Sequence, residues 1–284
     1  MNFIKDKYIN MSIRKKLTYI YLPLTLIPLL IFAIIAYNTH QTTIIERSLI
    51  AAEENNWLLV SQVEDILEDA ENCANMLAIN INNTIEKYER TQSEPKISLF
   101  NAINNELSYA MIIFSDINSI AYVDITETVH YTHPNLISNI DKVNEEDYRT
   151  TLEGSNGINT WFQLTQRDYL VIEQEEGVLT LGKKIIDIHD GKTLGYLYIN
   201  IKDKTLKDVF NKQQSSSFFI FENGEALLAT DDNHRIPVPV EESFYAYESR
   251  DSKVYNTDNE KMVVTTLPFK SLDWQLVSVT PLLD

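Results

Sequence analysis

The sequence of 284 residues holds one cysteine, seven glycines and few basic side chains, and each shortage closes off a class of chemistry. A single cysteine builds neither an intramolecular disulfide framework nor a cysteine-based zinc site. All seven glycines lie between Gly154 and Gly224, and neither a phosphate-binding loop nor a dinucleotide fingerprint occurs among them. Lys and Arg total 24 against 41 Asp and Glu, a net charge of −17, which speaks against nucleic acid as a partner. Proline is missing between Pro28 and Pro95, so residues 38–90 carry no helix breaker of either kind. With 44% hydrophobic and 23% charged residues, the composition is globular.

What is present begins with an apolar run. Residues 17–37 contain no charge, and 21 helical residues span roughly 30 Å, the thickness of a bilayer's hydrocarbon core. Lys5, Lys7, Arg14, Lys15 and Lys16 precede it, opposed by Asp6 alone. By the positive-inside rule, residues 1–16 are cytoplasmic and the chain beyond about residue 38 is extracellular. A cleaved signal peptide would have a shorter apolar region ending in small residues, whereas this one runs into Ala36, Tyr37, Asn38 and Thr39. The segment therefore reads as an uncleaved anchor, with the lipid bilayer as a partner and the chain as single-pass. The remainder holds 19 basic and 40 acidic residues, a charge of −21 that keeps an exterior domain soluble and away from anionic lipid.

Residues 38–94 are expected to form one long helix. Ile45, Leu49, Ala52, Asn56, Leu59, Val63, Ile66, Ala70, Cys73 and Leu77 follow alternating steps of four and three. Two readings fit this stripe. It is a face packed on the helix's own domain, or a parallel dimer seam over Ile45, Leu49, Asn56, Leu59 and Val63, with Asn56 fixing register. Cys73 is then either a buried inert thiol or, at a seam, a cross-dimer disulfide.

Beyond Pro95 a helix over 97–111 gives way to period two. Strands are expected at 119–125, 128–132, 160–164, 169–173, 178–188 and 193–201, with a short acidic helix over 144–152 and another over 202–212. Asp190-Gly191 and Asn223-Gly224 are tight hairpin turns; the second joins 217–222 to 225–230. Pro237 and Pro239 mark a loop, and 261–267 pairs with 274–280. The fold class is α+β: an N-terminal transmembrane helix over 17–37, a long helix over 38–94, and two antiparallel-sheet lobes over 95–213 and 214–284.

Basic arm, anchor, long helix and two unequal lobes resemble the extracellular double Cache sensor domain, built of PAS-like sheets. Residues 12–17 (SIRKKL), 179–187 (LTLGKKIID), 194–201 (LGYLYINI) and 274–281 (WQLVSVTP) look more particularly like YesM-like sensor histidine kinases of Gram-positive bacteria. The resemblance implies a membrane-distal lobe over 95–213 and a membrane-proximal lobe over 214–284. It further implies a second membrane helix, a HAMP linker and a kinase module after Asp284, through which a response regulator would be the partner. The kinase's phosphoaccepting histidine, nucleotide-lid glycines and metal-binding asparagine are not in this sequence. No catalytic residue and no cofactor is assigned to this chain.

Two other functions remain open: a membrane-anchored exterior binding module without a kinase, and the sensor domain of a chemotaxis or transcription-factor receptor. His130 and His133 are three apart, which places them on opposite faces of a strand and argues against a metal pair. No Ser/His/Asp set carries a nucleophile elbow. Tyr122, Tyr131, Trp161, Phe162 and Tyr169 concentrate in the first lobe, and aromatics with polar tips suit a small-molecule pocket. Amino-acid-sensing Cache domains carry a Tyr, an Arg five later, a Trp two beyond it, an adjacent aromatic, and an Asp in the last strand. Trp161 and Phe162 match the aromatic pair; the other positions hold Gly154, Asn159 and Asn200. Lacking the Arg and the acid, the candidate wall with Asn200 suits a neutral, carbohydrate-like ligand better than a free amino acid.

Overall fold

The computed structural model describes residues 13–91, 95–132, 148–166, 177–212, 216–230, 251–256 and 261–282. Two compact units are distinguished, Met1–Glu53 and Glu54–Asp284. The first consists of the opening part of helix α1 (Ile13–Thr91), with Pro23 and Pro28 inside it. Its apolar stretch is long and apolar enough to cross a membrane, and Leu24 and Phe32 are 64% and 75% exposed. Thr18 and Thr25 donate their hydroxyls to the carbonyls four residues back, each at 3.0 Å, so these two hydroxyls are satisfied within the helix.

In the second unit the elements follow in order: α2 (Lys96–Ile113), β1 (Ser119–Asp124), β2 (Val129–Tyr131), α3 (Tyr148–Gly154), β3 (Thr160–Gln166), β4 (Gly177–Ile186), β5 (Thr193–Lys202) and α4 (Asp203–Phe210). Then come β6 (Ser217–Glu222), β7 (Glu225–Ala229), β8 (Asp251–Asn256), β9 (Lys261–Pro268) and β10 (Trp274–Leu282). Sheet A runs β2-β1-β5-β4-β3 and sheet B runs β7-β6-β10-β9-β8, so both follow one winding rule. Every pairing among the described strands is antiparallel. Asn223 and Gly224 both take positive φ, 51° and 84°, as the tight β6–β7 turn requires.

One cluster joins the helices to both sheets. Leu59, Val63, Ile66, Ala70, Cys73 and Leu77 of α1 meet Ile103 and Leu107 of α2, Ile120, Leu181 and Ile199 of sheet A, and Ile220 and Leu276 of sheet B. Asn56 is buried with them and donates to Ser278 Oγ at 2.6 Å, while Glu64 accepts from the backbone of Lys270 and Ser271. The stripe from Asn56 onward is thus packed inside its own domain, the first of the two readings. Cys73 is fully buried and burial pushes its thiol up to about 12, which makes it inert.

Strand β8 is absent from the sequence expectations because DSKVYN has a single adjacent apolar pair and no alternation. Among the described strands it is an edge strand, where polar residues are tolerated. The expected strand over 169–173, the start of the acidic helix at 144–147 and the loop at Pro237 and Pro239 lie outside the described residues.

Candidate functional site

Pleating sorts sheet A into two chemistries. Facing α1 are Ile120, Tyr122, Leu197, Ile199, Leu179, Leu181 and Trp161, all members of or packed on the main core. On the opposite face β1 offers Ser119, Ala121 and Val123, and β5 offers Asn200, Tyr198 and Tyr196 directly beside them. β4 continues the rows with Thr180, Gly182 and Lys184. Ala121, Val123, Tyr196 and Tyr198 form a separate cluster with Leu152, Tyr148, Phe162 and Val129.

The outer face has a polar end and an aromatic centre. Thr180 donates its hydroxyl to Asn200 Oδ1 at 2.7 Å, and Asn200 Nδ2 donates to Ser119 Oγ at 3.0 Å, a buried ladder across three strands. The Tyr148 ring meets Phe162 edge-on at 4.2 Å. Gly182 allows this arrangement: a Cβ there would lie 2.5 Å from the Phe162 ring and 3.0 Å from both Leu152 methyls. Burial, then the neighbouring Tyr196, raises the Tyr198 phenol well above its ordinary pKa, and burial raises Tyr196 likewise. Both are neutral hydroxyls at physiological pH. At the rim, Arg149 sits 5.3 Å over the Tyr196 ring, with Nε 3.4 Å from Glu153 and Nη1 3.6 Å from Glu127. The Tyr196 hydroxyl donates to Glu153 Oε1 at 3.2 Å, and Lys184 Nζ to the Glu153 carbonyl at 3.1 Å.

Of the residues singled out from sequence, Phe162, Asn200 and Tyr131 share this face; Tyr131 is paired with Ala121. Tyr122 and Trp161 are on the other side. The Tyr122 hydroxyl donates to Leu194 O at 2.7 Å, and Trp161 Nε1 donates to Glu71 Oε1 of α1 at 3.0 Å. Tyr169 lies outside the described residues. Tyr148, Arg149, Tyr196 and Tyr198 were missed. For the last two the signal was there: Tyr196, Tyr198 and Asn200 alternate along the GYLYIN stretch, so the reasoning that selects Asn200 selects all three.

The sequence matches no family model and no curated protein sequence. Solved structures do match. The ligand-binding domain of the Campylobacter jejuni chemoreceptor Tlp3 in complex with L-norvaline has a TM-score of 0.65 at 16% identity, covering 84% of this chain and 92% of that one. The fold is double-Cache-like. The ligand-binding domain of the Pseudomonas aeruginosa PAO1 amino acid chemoreceptor PctC with GABA has a TM-score of 0.57 at 15% identity, covering 82% and 99% of the two chains. That of the Pseudomonas fluorescens chemoreceptor CtaA with L-isoleucine has a TM-score of 0.51 at 14% identity, covering 80% and 87%. At such identities the likeness concerns the fold. These neighbours are ligand-binding domains of chemoreceptors.

Proposed function

We propose that this chain is the extracellular ligand-sensing input region of a membrane-bound receptor, taking a small molecule on the outer face of sheet A. One observation carries the reading: Tyr198 stands between Ala121 and Gly182, and Asn200 between Ser119 and Thr180, which sets a phenol and an amide beside small residues on one face. Aromatic rings with polar tips beside small residues are the materials of a small-molecule wall. The positive arm before the apolar span supports an N-terminus in the cytoplasm. The YesM-like stretches support a histidine kinase as the output, with a response regulator reached through it. A chemotaxis output is the second reading, favoured by the chemoreceptor domains among the structural neighbours.

Ligand class follows from charge. Arg149 and Lys184, cations of this face, are engaged with Glu127 and Glu153. The remaining groups are phenols, an amide and hydroxyls, which suit a neutral, carbohydrate-like molecule. The neighbours' own ligands are amino acids and GABA, so both classes belong in the test. Melting of the full chain in detergent is measured with D-glucose, D-xylose, L-isoleucine and γ-aminobutyrate. A ligand of the folded state raises Tm by mass action, and Tyr198→Ala removes the shift. A shift that survives Tyr198→Ala moves the site elsewhere.

The chain is proposed to act as a homodimer through α1. With Asn56, Leu59 and Val63 buried, the large apolar side chains left exposed after the span include Ile44, Ile50, Trp57 and Leu58. Single-cysteine crosslinking in membranes is expected to peak at these positions and to fail at Val63. Efficient crosslinking at Val63 would restore the seam expected from the heptad.

A further inference from the structure

Strand β3 presents consecutive aromatic residues to opposite sides of sheet A. Phe162 lies on the outer face against Tyr148, and Trp161 packs on the α1 side with its indole bound to Glu71. Among the described strands β3 is an edge strand paired with β4, and its register breaks between Phe162 and Thr165. It is therefore freer to shift than the central strands. The turn leading into it is gripped by Lys183, whose Nζ donates to Gly157 O at 2.7 Å and Asn159 Oδ1 at 2.9 Å. Elsewhere α1 holds sheet A by main chain: Asn82 donates to Ile186 O at 3.0 Å and accepts from Ile188 N at 3.1 Å, beside the β4–β5 turn. That tie fixes a hairpin. The Glu71 tie instead fixes a side chain one residue away from the aromatic wall of the outer face.

We propose that the Trp161–Glu71 hydrogen bond is the contact by which α1 registers the position of β3, and with it the state of the outer face. This rests on reading that face as a ligand face. A shift of β3 by about an ångström would carry a 3.0 Å bond past hydrogen-bonding range, leaving a carboxylate and an indole N–H to find other partners. Glu71 and Trp161 are positioning residues here: neither is asked to touch ligand.

A double-mutant cycle on the full chain tests this without any ligand. Phe162→Ala perturbs the outer face, Trp161→Phe removes the indole donor while keeping an aromatic ring, and Glu71→Leu removes the acceptor. Glu71→Gln keeps an acceptor oxygen. Amide hydrogen exchange over residues 68–74 of α1 is the readout. Phe162→Ala is expected to speed exchange there in the wild-type and Glu71→Gln backgrounds. In Trp161→Phe and Glu71→Leu the added effect should be smaller by about threefold or more, the scale of coupling between connected sites. With Asn82→Ala, which breaks the other tie, Phe162→Ala should act additively. Additive effects throughout, or equal loss in Glu71→Gln and Glu71→Leu, overturn the proposal. L-isoleucine and D-glucose then test the underlying reading separately. A probe that protects the amides of β5 but leaves residues 68–74 unchanged keeps the site and sinks the coupling. If neither probe protects β5, the ligand reading fails for those classes, and the cycle still decides whether α1 registers β3.

Discussion

The two lobes wind five strands in the same order and differ on the face turned away from α1. In lobe A the first strand carries Ser119, Ala121 and Val123 there, and the last carries Tyr196, Tyr198 and Asn200. At the corresponding places lobe B has Ser217, Phe219 and Phe221, then Gln275, Val277 and Val279. The middle strand has Thr180 and Gly182 in one lobe, Val264 and Thr266 in the other. Bulk has changed sides. Lobe B packs an apolar cluster of Phe219, Phe221, Val264, Val277 and Val279, whereas lobe A sets Tyr198 between Ala121 and Gly182. The same scaffold thus gives one lobe a mainly apolar face and the other a face that carries polar tips. The difference lies in residues that do not alter strand pairing, which is why the topology alone does not say which lobe binds.

The largest effect expected from this contrast is on lobe B. Phe219 is 1% exposed, and Phe219→Ala should cost about 3–5 kcal/mol, the usual range for a buried Phe. Urea denaturation measures this, and binding at lobe A should be unchanged in the folded fraction. Loss of probe binding in Phe219→Ala, with binding retained in Tyr198→Ala, would reverse the roles of the lobes.

Next comes overpacking in lobe A. Gly182→Ala places a methyl 2.5 Å from the Phe162 ring, so the ring must move, at a cost of about 1–3 kcal/mol. In lobe B the equivalent place is already Thr266, fully buried, so Thr266→Ala is the matching control. It should leave any melting shift caused by a probe intact, while Gly182→Ala should alter it. Equal responses in the two variants would remove the distinction drawn between the faces.

Much of the fold was legible because it rests on period and turn chemistry. The α1 stripe, the β4–β5 and β6–β7 hairpins and the β9–β10 pair follow from residues within a few positions of each other, although the first hairpin closes over residues 187–192 and not by a two-residue Asp190-Gly191 turn. β8 was hidden because an edge strand needs no apolar alternation. The face proposed as the site was half legible. Counting aromatics found Phe162 and overlooked Tyr196 and Tyr198, because their strand was read as a whole and its alternation was not assigned to faces. Trp161 lies on the α1 side of the sheet because its direction is set by pairing with Leu181, information that lies 20 residues away in the chain. The partner of Asn56 lies 222 residues away, so sequence could not choose between domain packing and a seam.

A smaller loss is expected at the ladder. Asn200→Ala removes the acceptor of Thr180 and the donor to Ser119, leaving buried hydroxyls with one partner fewer, which costs about 1–3 kcal/mol. Val279→Ala, at the corresponding place in lobe B, should cost a comparable amount through lost packing alone. The two separate by chemistry: Asn200→Thr should recover part of the loss by keeping a hydroxyl, and Val279→Thr should not. Recovery in both would show that size, not hydrogen bonding, governs the position.

The smallest effect concerns acid. His130 of β2 is 3% exposed, with its ring 4.9 Å from Phe100 of α2 and 5.6 Å from Tyr122, and its Nε2 4.0 Å from the Asp124 carboxylate. Burial lowers its pKa, outweighing the upward pull of Asp124 and of the Phe100 backbone. The unfolded chain therefore binds this proton more readily than the folded one. Stability from this source is complete above the unfolded pKa of about 6.5 and is lost as pH falls below it toward the lower folded value. His130→Leu should flatten that part of the pH dependence, read as the difference between variant and wild type in urea midpoints at about pH 7.5 and about pH 5.5. Contributions from groups remote from His130 are common to both proteins and cancel in the difference. The buried imidazole belongs to lobe A, so acid should raise amide exchange in β1, β2 and α2 before it does so in sheet B. Identical pH slopes in the two proteins, or earlier opening of sheet B, would show that the acid response does not distinguish the lobes.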